Sequence, residues 1–506
     1  VLLALSVAMS FFVNLGGAPL FDLDEGAFSE ATREMFERRD FISPYLNGEP
    51  RFDKPILIYW LQAASVWLLG LSETAFRLPS AVCATLWVAV VYAFTRKTLD
   101  PRTGLVAAII TATAAGVSVI GKTATADALL NLLLAATLLD IFRYSRERRT
   151  HLIYRAFLWM GLGVLTKGPI AILIPFAVSL AFFAWRGEIR AWIGAAFHPV
   201  GLLILALVAL PWYVVQYWRE GDAFIQGFFL RHNVGRFENP MQGHAGNLFY
   251  YGIVALLLVL PYTSLLIKAL TRVREAARDD LGLYLWLWFG FVFVFFSLSA
   301  TKLPHYLLYG ATPLFILMAR YREPLSSRFW AFLPPLAFFG VLWALPAIID
   351  GVAPRIGDPY VKAMLSESGQ AFGWDYQGWL GLATLGTVLV AWSRLTPLWH
   401  RLLITGLVSV TVLSLAVLPA LGRLQQEPIK QAALMAKREG YRVVMWKLWT
   451  PSFNVYSRSL TERHRPGPGE IVLTKAHHLK EFQDYQVLFE RGGIALARIG
   501  SGLGPR

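Results

Sequence analysis

The stretch FDLDEGAFSEATREMFERRD, residues 21–40, follows an apolar run directly and opens with Asp22, Asp24 and Glu25. A carboxylate at the edge of hydrocarbon is costly, so a membrane protein that keeps one there generally uses it. Its bland role would be to open a helix, whose first turn favours acids. Its chemical role would be to take a proton from an acceptor hydroxyl. Other costly residues recur beside apolar runs. They are Asp53 and Lys54 in NGEPRFDKPILIYW, Lys122 and Asp127 in GKTATADALL, and Lys167 in LTKGPIA. Arg231, His232, Arg236 and His244 share the loop 219–247, and Lys302, His305 and Tyr306 stand in SATKLPHYLLYG. Lys and Arg so placed suit a phosphate, the first as a point charge and the second as a planar fork. A carboxylate beside such a cradle completes the parts needed for transfer from a lipid phosphate carrier. Walker and dinucleotide motifs are absent, so no nucleotide cofactor is expected.

The elements that must position these groups are membrane helices. Of 506 residues 56% are hydrophobic, with 18 Trp and 34 Phe, and the mean hydropathy is +0.49. Apolar runs of about 17–22 residues recur throughout, which makes the chain a polytopic α-helical membrane protein. Continuous runs such as LLILALVALPWYVV exclude a transmembrane β-barrel. The net charge of +14 sits in short loops between apolar runs, a pattern of membrane orientation and not of nucleic-acid binding. Cys83 is the sole cysteine, so disulfides and thiolate metal sites are not expected.

Six basic clusters, at 95–102, 143–155, 186–190, 268–278, 320–328 and 393–401, mark the cytoplasmic side. Keeping all six there requires paired crossings between them and gives about thirteen in all, with the amino end inside and the carboxyl end outside. The segment 56–71 breaks this parity if it crosses, so it is expected to lie at the interface with Tyr59, Trp60 and Trp67 at headgroup level. Residues 1–421 would form the transmembrane domain, with outer juxtamembrane helices at about 22–71. Residues 422–506 lose the membrane composition; RVVMWKLW, EIVLTK and QVLFERGGIALARI read as strands of a small extracytoplasmic α/β domain. The acidic and cationic residues above then meet at one outer surface.

DLDEGAFSEATREMFERRDFISPYLNGEPRFDKPILIYWL, followed by KTATADALL, GVLTKGPIA, RHNVGRF and TKLPHYLLYGATP, resembles the bacterial aminoarabinose transferase and dolichyl-phosphate-mannose protein mannosyltransferase-like family of GT-C membrane glycosyltransferases. The resemblance covers roughly residues 1–320. It implies an inverting glycosyltransferase at the outer face of a bacterial inner membrane, with a polyprenyl-phosphate-sugar donor and a lipid or glycan acceptor. It gives Asp24 the role of the acid after the first helix, with Glu25 beside it and Asp127 as the second acid. Lys54, Arg236, Lys302 and Tyr306 would bind the donor phosphate. In aminoarabinose transferases a Glu in the place of Asp53 holds a divalent metal with loop histidines. Asp53, His232 and His244 are the corresponding set here, and their chemistry suits zinc. One departure stands out: the family typically follows its acidic pair with Thr-Arg, and this chain has Gly26-Ala27.

Competing readings exist for each residue. Lys54 and Lys302 could be snorkelling anchors, Arg236 could pair with Glu238, and His305 and Lys167 could cap helices, so these last two are left out of the principal set. Two further functions share the donor chemistry: transfer to protein Ser or Thr, and non-enzymatic carriage or flipping of a polyprenyl phosphate. The ionisable groups within the expected spans cluster at one end instead of tracing a polar path, which favours the enzyme. Nothing in the chain demands a partner, and a monomer is expected.

Overall fold

The computed structural model describes residues 1–228, 249–323, 325 and 327–500. Among these, six helices are long and apolar enough to cross a membrane: Glu73–Thr98, Asp127–Glu147, Pro199–Glu220, Asp280–Leu298, Arg328–Arg355 and Leu398–Gln425. Two bent pairs, Pro101–Thr113 with Ala115–Gly121 and Tyr250–Leu258 with Thr263–Thr271, raise the number to eight. The thirteen crossings expected from charge are therefore not all carried by long apolar helices. Leu2–Phe12 and Ile170–Trp185 are apolar but shorter, and Ala311–Arg320 follows a 3-10 turn at Pro304–Gly310.

Local chemistry sets the helix ends. Ser72 accepts from the Ala75 amide to open Glu73–Thr98, and Asp100 accepts from the Thr103 amide with Pro101 in the first turn. Gly168, at φ 78°, ends Thr150–Lys167 in a conformation that a Cβ would oppose. The two bent pairs satisfy each other where they break: the Ala115 amide donates to the Leu260 carbonyl at 2.9 Å, and Tyr262 and Thr113 share a hydroxyl contact of 2.5 Å. Irregular backbone survives at membrane depth only when buried in protein and satisfied in this way. Close approach there needs glycine, since a Cβ on Gly406 would meet the Tyr262 hydroxyl.

The segment expected at the interface forms the helix Leu57–Leu69. Its thirteen residues span roughly 20 Å, too short to cross. Trp60 and Trp67 are exposed as expected. Tyr59 is not at headgroup level; it is fully buried, with its ring stacked on Phe28 at 5.5 Å. The helix turns that face inward because it packs on both Asp24–Arg38 and Glu73–Thr98.

After Leu398–Gln425 the chain enters the helix Glu427–Glu439 and a four-stranded sheet. The strands, numbered after the short hairpin β1 (Tyr45–Leu46) and β2 (Glu49–Pro50), are β3 (Val443–Met445), β4 (Ile471–Lys475), β5 (Tyr485–Arg491) and β6 (Ile494–Ile499). The order is β3-β4-β6-β5, with β3 parallel to β4 and the other pairs antiparallel. Gly492 and Gly493, both at positive φ, form the two-residue turn between β5 and β6. The three strand-like segments of the tail are thus strands.

This domain docks on the acidic stretch that follows the first helix. Lys430 pairs with Glu73 at 2.6 Å, and the Leu20 amide donates to the Tyr456 hydroxyl at 2.8 Å. Asn47 accepts from the Thr461 amide at 3.0 Å and from Asn454 at 2.9 Å. Asp22 accepts from the Ser452 amide at 3.0 Å and bonds the Ser452 hydroxyl through its other oxygen. Loss of solvation pushes the Asp22 carboxyl up to about 7, against the lowering effect of the two Ser452 bonds. Because the docked state holds this proton more tightly than free chain does, its contribution is full below pH ~4 and is lost as pH rises toward 7. Limited proteolysis of the tail domain should therefore accelerate between pH 5 and pH 8. Asp22→Asn, which can keep both bonds, should flatten that dependence; an unchanged pH profile would show that Asp22 does not control docking.

Candidate active site

A cavity of about 140 Å³ opens between the helix Asp24–Arg38, the hairpin, the turn that precedes Asp127 and the tail domain. Asp24, Arg51, Asp53, Lys54, Asp127, Lys167, His305 and Tyr306 line it, and Trp449 and Pro451 close it from the tail. These residues come from six separate stretches of sequence. The helix Asp24–Arg38 places Asp24 on its first turn. Most of that helix is buried, and its other charges are spent. Arg33 pairs with Glu30 at 2.7 Å and Glu37 at 2.6 Å, and Glu34 pairs with Arg38 at 3.2 Å and accepts from the Gly48 amide at 3.0 Å. Asp24 differs. It is exposed, and none of the described residues donates a hydrogen bond to its carboxylate.

Asp127, at the start of Asp127–Glu147, is held through one carboxylate oxygen, Oδ1. Lys167 donates to its Oδ1 at 2.6 Å and Tyr309 donates to the same oxygen at 2.8 Å, with His305 Nε2 at 3.7 Å. The Lys167 ammonium also lies over the Tyr306 and Tyr309 rings. An acid so paired is a poor proton acceptor and a good positioner of cations. Lys54 donates to the Asp53 carbonyl at 3.0 Å, and the Asp53 carboxylate lies 3.5 Å from Arg51.

The comparisons agree with this architecture. Residues 53–215 match the model of the dolichyl-phosphate-mannose-protein mannosyltransferase family. The undecaprenyl phosphate-alpha-4-amino-4-deoxy-L-arabinose arabinosyl transferase of Serratia proteamaculans is 28% identical over 369 residues, 70% of this chain and 66% of its own length. Its counterpart in Yersinia enterocolitica is 31% identical over 334 residues, 65% of this chain and 60% of its own length. The crystal structure of ArnT from Cupriavidus metallidurans bound to undecaprenyl phosphate matches with a TM-score of 0.82 at 19% identity, over 100% of this chain and 98% of that one. The chain resembles the aminoarabinose transferases in sequence and has their GT-C fold. It spans less than two thirds of the curated relatives' length.

Within this GT-C fold, two residues expected in the site stand elsewhere. Lys302 does not line the cavity. It is 7% exposed and donates to the Ser297 and Ser299 carbonyls at 2.7 and 2.8 Å, because the turn after Asp280–Leu298 leaves those carbonyls without helical partners. Glu25 also turns away from it. Its carboxylate accepts from Arg77 through both oxygens, at 2.9 and 2.8 Å, from the Ala124 amide at 2.6 Å and from the Phe21 amide at 2.9 Å. Successive helical residues point about 100° apart, which turns Glu25 away from the cavity that Asp24 lines. Lys122, from the same second turn as Asp127, donates to the Val13 carbonyl outside the cavity.

Arg236, His232 and His244 lie outside the described residues, as does Arg231. Of the metal set only Asp53 is described, and it faces a guanidinium, which competes with a cation for that carboxylate. Among the described residues no cluster of three or more His, Cys, Asp or Glu could hold a metal. Sequence reading missed Arg51 and Trp449 and set Lys167 and His305 aside. Arg51 stands two residues before Asp53 in the same motif and could have been found there; Trp449 carried no signal.

The Glu25 geometry makes a prediction. Glu25→Gln leaves Arg77 buried without its counter-charge and should cost about 3–5 kcal/mol of stability, read as a lowered unfolding temperature in detergent. The double variant Glu25→Leu with Arg77→Met removes the unpaired charge but orphans the Phe21 and Ala124 amides and three carbonyls, so it should recover only part of the loss. Turnover per folded molecule should fall only as far as Asp24 loses its position; abolished turnover at unchanged stability would return Glu25 to the chemistry.

Proposed function

We propose that the chain moves a sugar from a polyprenyl-phosphate carrier to an oxygen of a lipid or glycan acceptor, in one inverting displacement. The observation that carries this reading is the contrast inside the cavity. Asp24 is exposed and takes no bond from the described residues, whereas Asp127 is neutralised by Lys167 and Tyr309. The acceptor oxygen attacks the anomeric carbon, the bond from that carbon to the phosphate oxygen breaks, and its electron pair leaves with the polyprenyl phosphate. Asp24 takes the acceptor's proton. Lys54 and Arg51 offset the charge that grows on the departing phosphate, which is the larger part of the catalysis. Tyr306 and His305 form the wall beside them, fixed by their 4.8 Å edge contact. His232, Arg236 and His244 remain candidates for completing the cradle or a metal site.

Orientation follows from charge. Asp127 and Lys167 mark one end of two antiparallel helices, and Arg148 and Arg149 mark the other. With the arginines cytoplasmic, the cavity and the tail domain face the exterior of a bacterial inner membrane. The protein acts there as a monomer. Names and titles of the relatives support an undecaprenyl carrier and an aminoarabinose donor, and the Gly26-Ala27 departure leaves the acceptor apart from theirs.

The test is single-turnover transfer with purified polyprenyl-phosphate sugar. Asp24→Asn should lower the rate about 10²–10⁴-fold with donor affinity unchanged. Lys54→Ala should weaken donor binding in a direct titration, by roughly tenfold for one charge-assisted contact. Wild-type Asp24 with donor bound but no sugar released under any acceptor would instead support the carrier or flippase reading.

A further inference from the structure

A second cavity of about 230 Å³ runs from the end of the bundle away from Asp127 and Lys167 as far as Ile172. Its walls come from the helices Asp127–Glu147, Thr150–Lys167, Ile170–Trp185, Ile189–Ala196 and Pro199–Glu220, with Phe157, Met160, Phe176, Phe183, Trp192 and Leu205 among the lining residues. From Leu152 to Met160 it reaches roughly 12 Å along the helix Thr150–Lys167. The lining is almost wholly apolar. Of its two hydroxyl side chains, Ser179 donates to the Phe176 carbonyl at 3.1 Å and accepts from Trp192 at 3.0 Å, so it is already spent. Tyr144 alone cannot supply the two to four polar partners that a buried water needs. Water is a poor occupant, and an empty void of this size would forfeit packing. A hydrocarbon chain is the occupant that fits.

The mouth specifies the head of that chain. The Arg148 guanidinium sits over the rings of Tyr144 at 5.6 Å and Phe183 at 5.5 Å, both lining residues. The two loops at this end, 143–155 and 186–190, hold seven arginines against two glutamates. Glu188 is shared by Arg148 and Arg186; Arg149 is exposed and lies 3.6 Å from Glu147, and Arg190 is exposed. Trp185 and Phe197 are also exposed and flank the helix Ile189–Ala196, aromatic anchors of the kind that sit at a membrane interface. We propose that this cavity binds one acyl chain of an anionic phospholipid, with the headgroup phosphate on Arg148, Arg149 and Arg190. The site is separate from the candidate active site and takes a structural lipid, not a carrier of sugar.

Photocrosslinking tests this with the full chain in nanodiscs. The probe is phosphatidylglycerol carrying a diazirine midway along one acyl chain, with adducts mapped by peptide mass spectrometry. Adducts should concentrate in residues 152–160 and 192–205. Ala156→Phe and, independently, Ala195→Phe on the more accessible helix should each lower them about tenfold, the equivalent of two methylenes left unburied. Arg149→Ser with Arg190→Ser should lower capture of this probe and spare a phosphatidylcholine probe of the same chain. Adducts spread evenly over the lipid-facing helices, or unchanged in both filling variants, would overturn the proposal. So would preferential capture there of a diazirine-bearing polyprenyl phosphate, which would make it a carrier site.

Discussion

Arg77 is the joint from which the functional end of this protein hangs. Its five N–H groups all find acceptors: both oxygens of Glu25 and the carbonyls of Leu15, Ala18 and Pro19. Glu25 in turn holds the Phe21 and Ala124 amides. One buried ion pair thus ties the end of the first helix, the juxtamembrane helix, the long helix Glu73–Thr98 and the second outer turn. Such a pair contributes little net stability when intact, because the desolvation of two charges offsets their attraction. What it supplies is position. With Glu25 fixed on Arg77, helix geometry points Asp24 elsewhere, into the cavity.

The same logic sorts the remaining charges at this end. Burial forces a charge to find a partner, so the partner tells what the charge is for. Lys302 spends its ammonium on two carbonyls and stabilises a turn. Lys122 does the same for the end of the first helix. Lys167 and Asp127 satisfy each other and, through Tyr309 and His305, stiffen the wall of the cavity. Asp24 is set apart by its exposure and its lack of a bond from the described residues. The cavity is thereby lined by paired charges that hold their places and by Asp24, which takes no bond from the described residues.

Much of this was legible in the sequence, for reasons of scale. Apolar run length and the placement of arginines act over whole helices, so the membrane class, the short helix Leu57–Leu69 and the strands of the tail followed from pattern alone. Asp24, Asp53, Lys54, Asp127 and Tyr306 line one cavity because motif residues beside apolar runs must gather at one end of a bundle. Direction was not legible. Whether Glu25 or Lys302 faces a cavity depends on a rotation of about 100° or on a local turn, and neither leaves a trace in composition. Nor did the broken helices announce themselves: Pro261 marks one bend, but the partner at Ala114 shows only in the bond between Ala115 and Leu260.

The Gly26-Ala27 pair, where the resemblance to the aminoarabinose transferases breaks, has a physical consequence in the fold. A Cβ at Gly26 would stand 2.1 Å from an Asp22 oxygen and 2.7 Å from the Ser452 amide nitrogen, and the second of these is backbone that cannot swing aside. A Thr at this position is therefore incompatible with the docked tail, and Gly is what allows the tail to come so close. The next residue, Ala27, lines the cavity where a guanidinium would otherwise project. Trp449 and Pro451 from the tail line the same cavity, and Arg51 is the one arginine that lines it among the described residues. The close seat of the tail and the absence of a side chain at Gly26 therefore go together, and the guanidinium at the cavity comes from the hairpin, at Arg51.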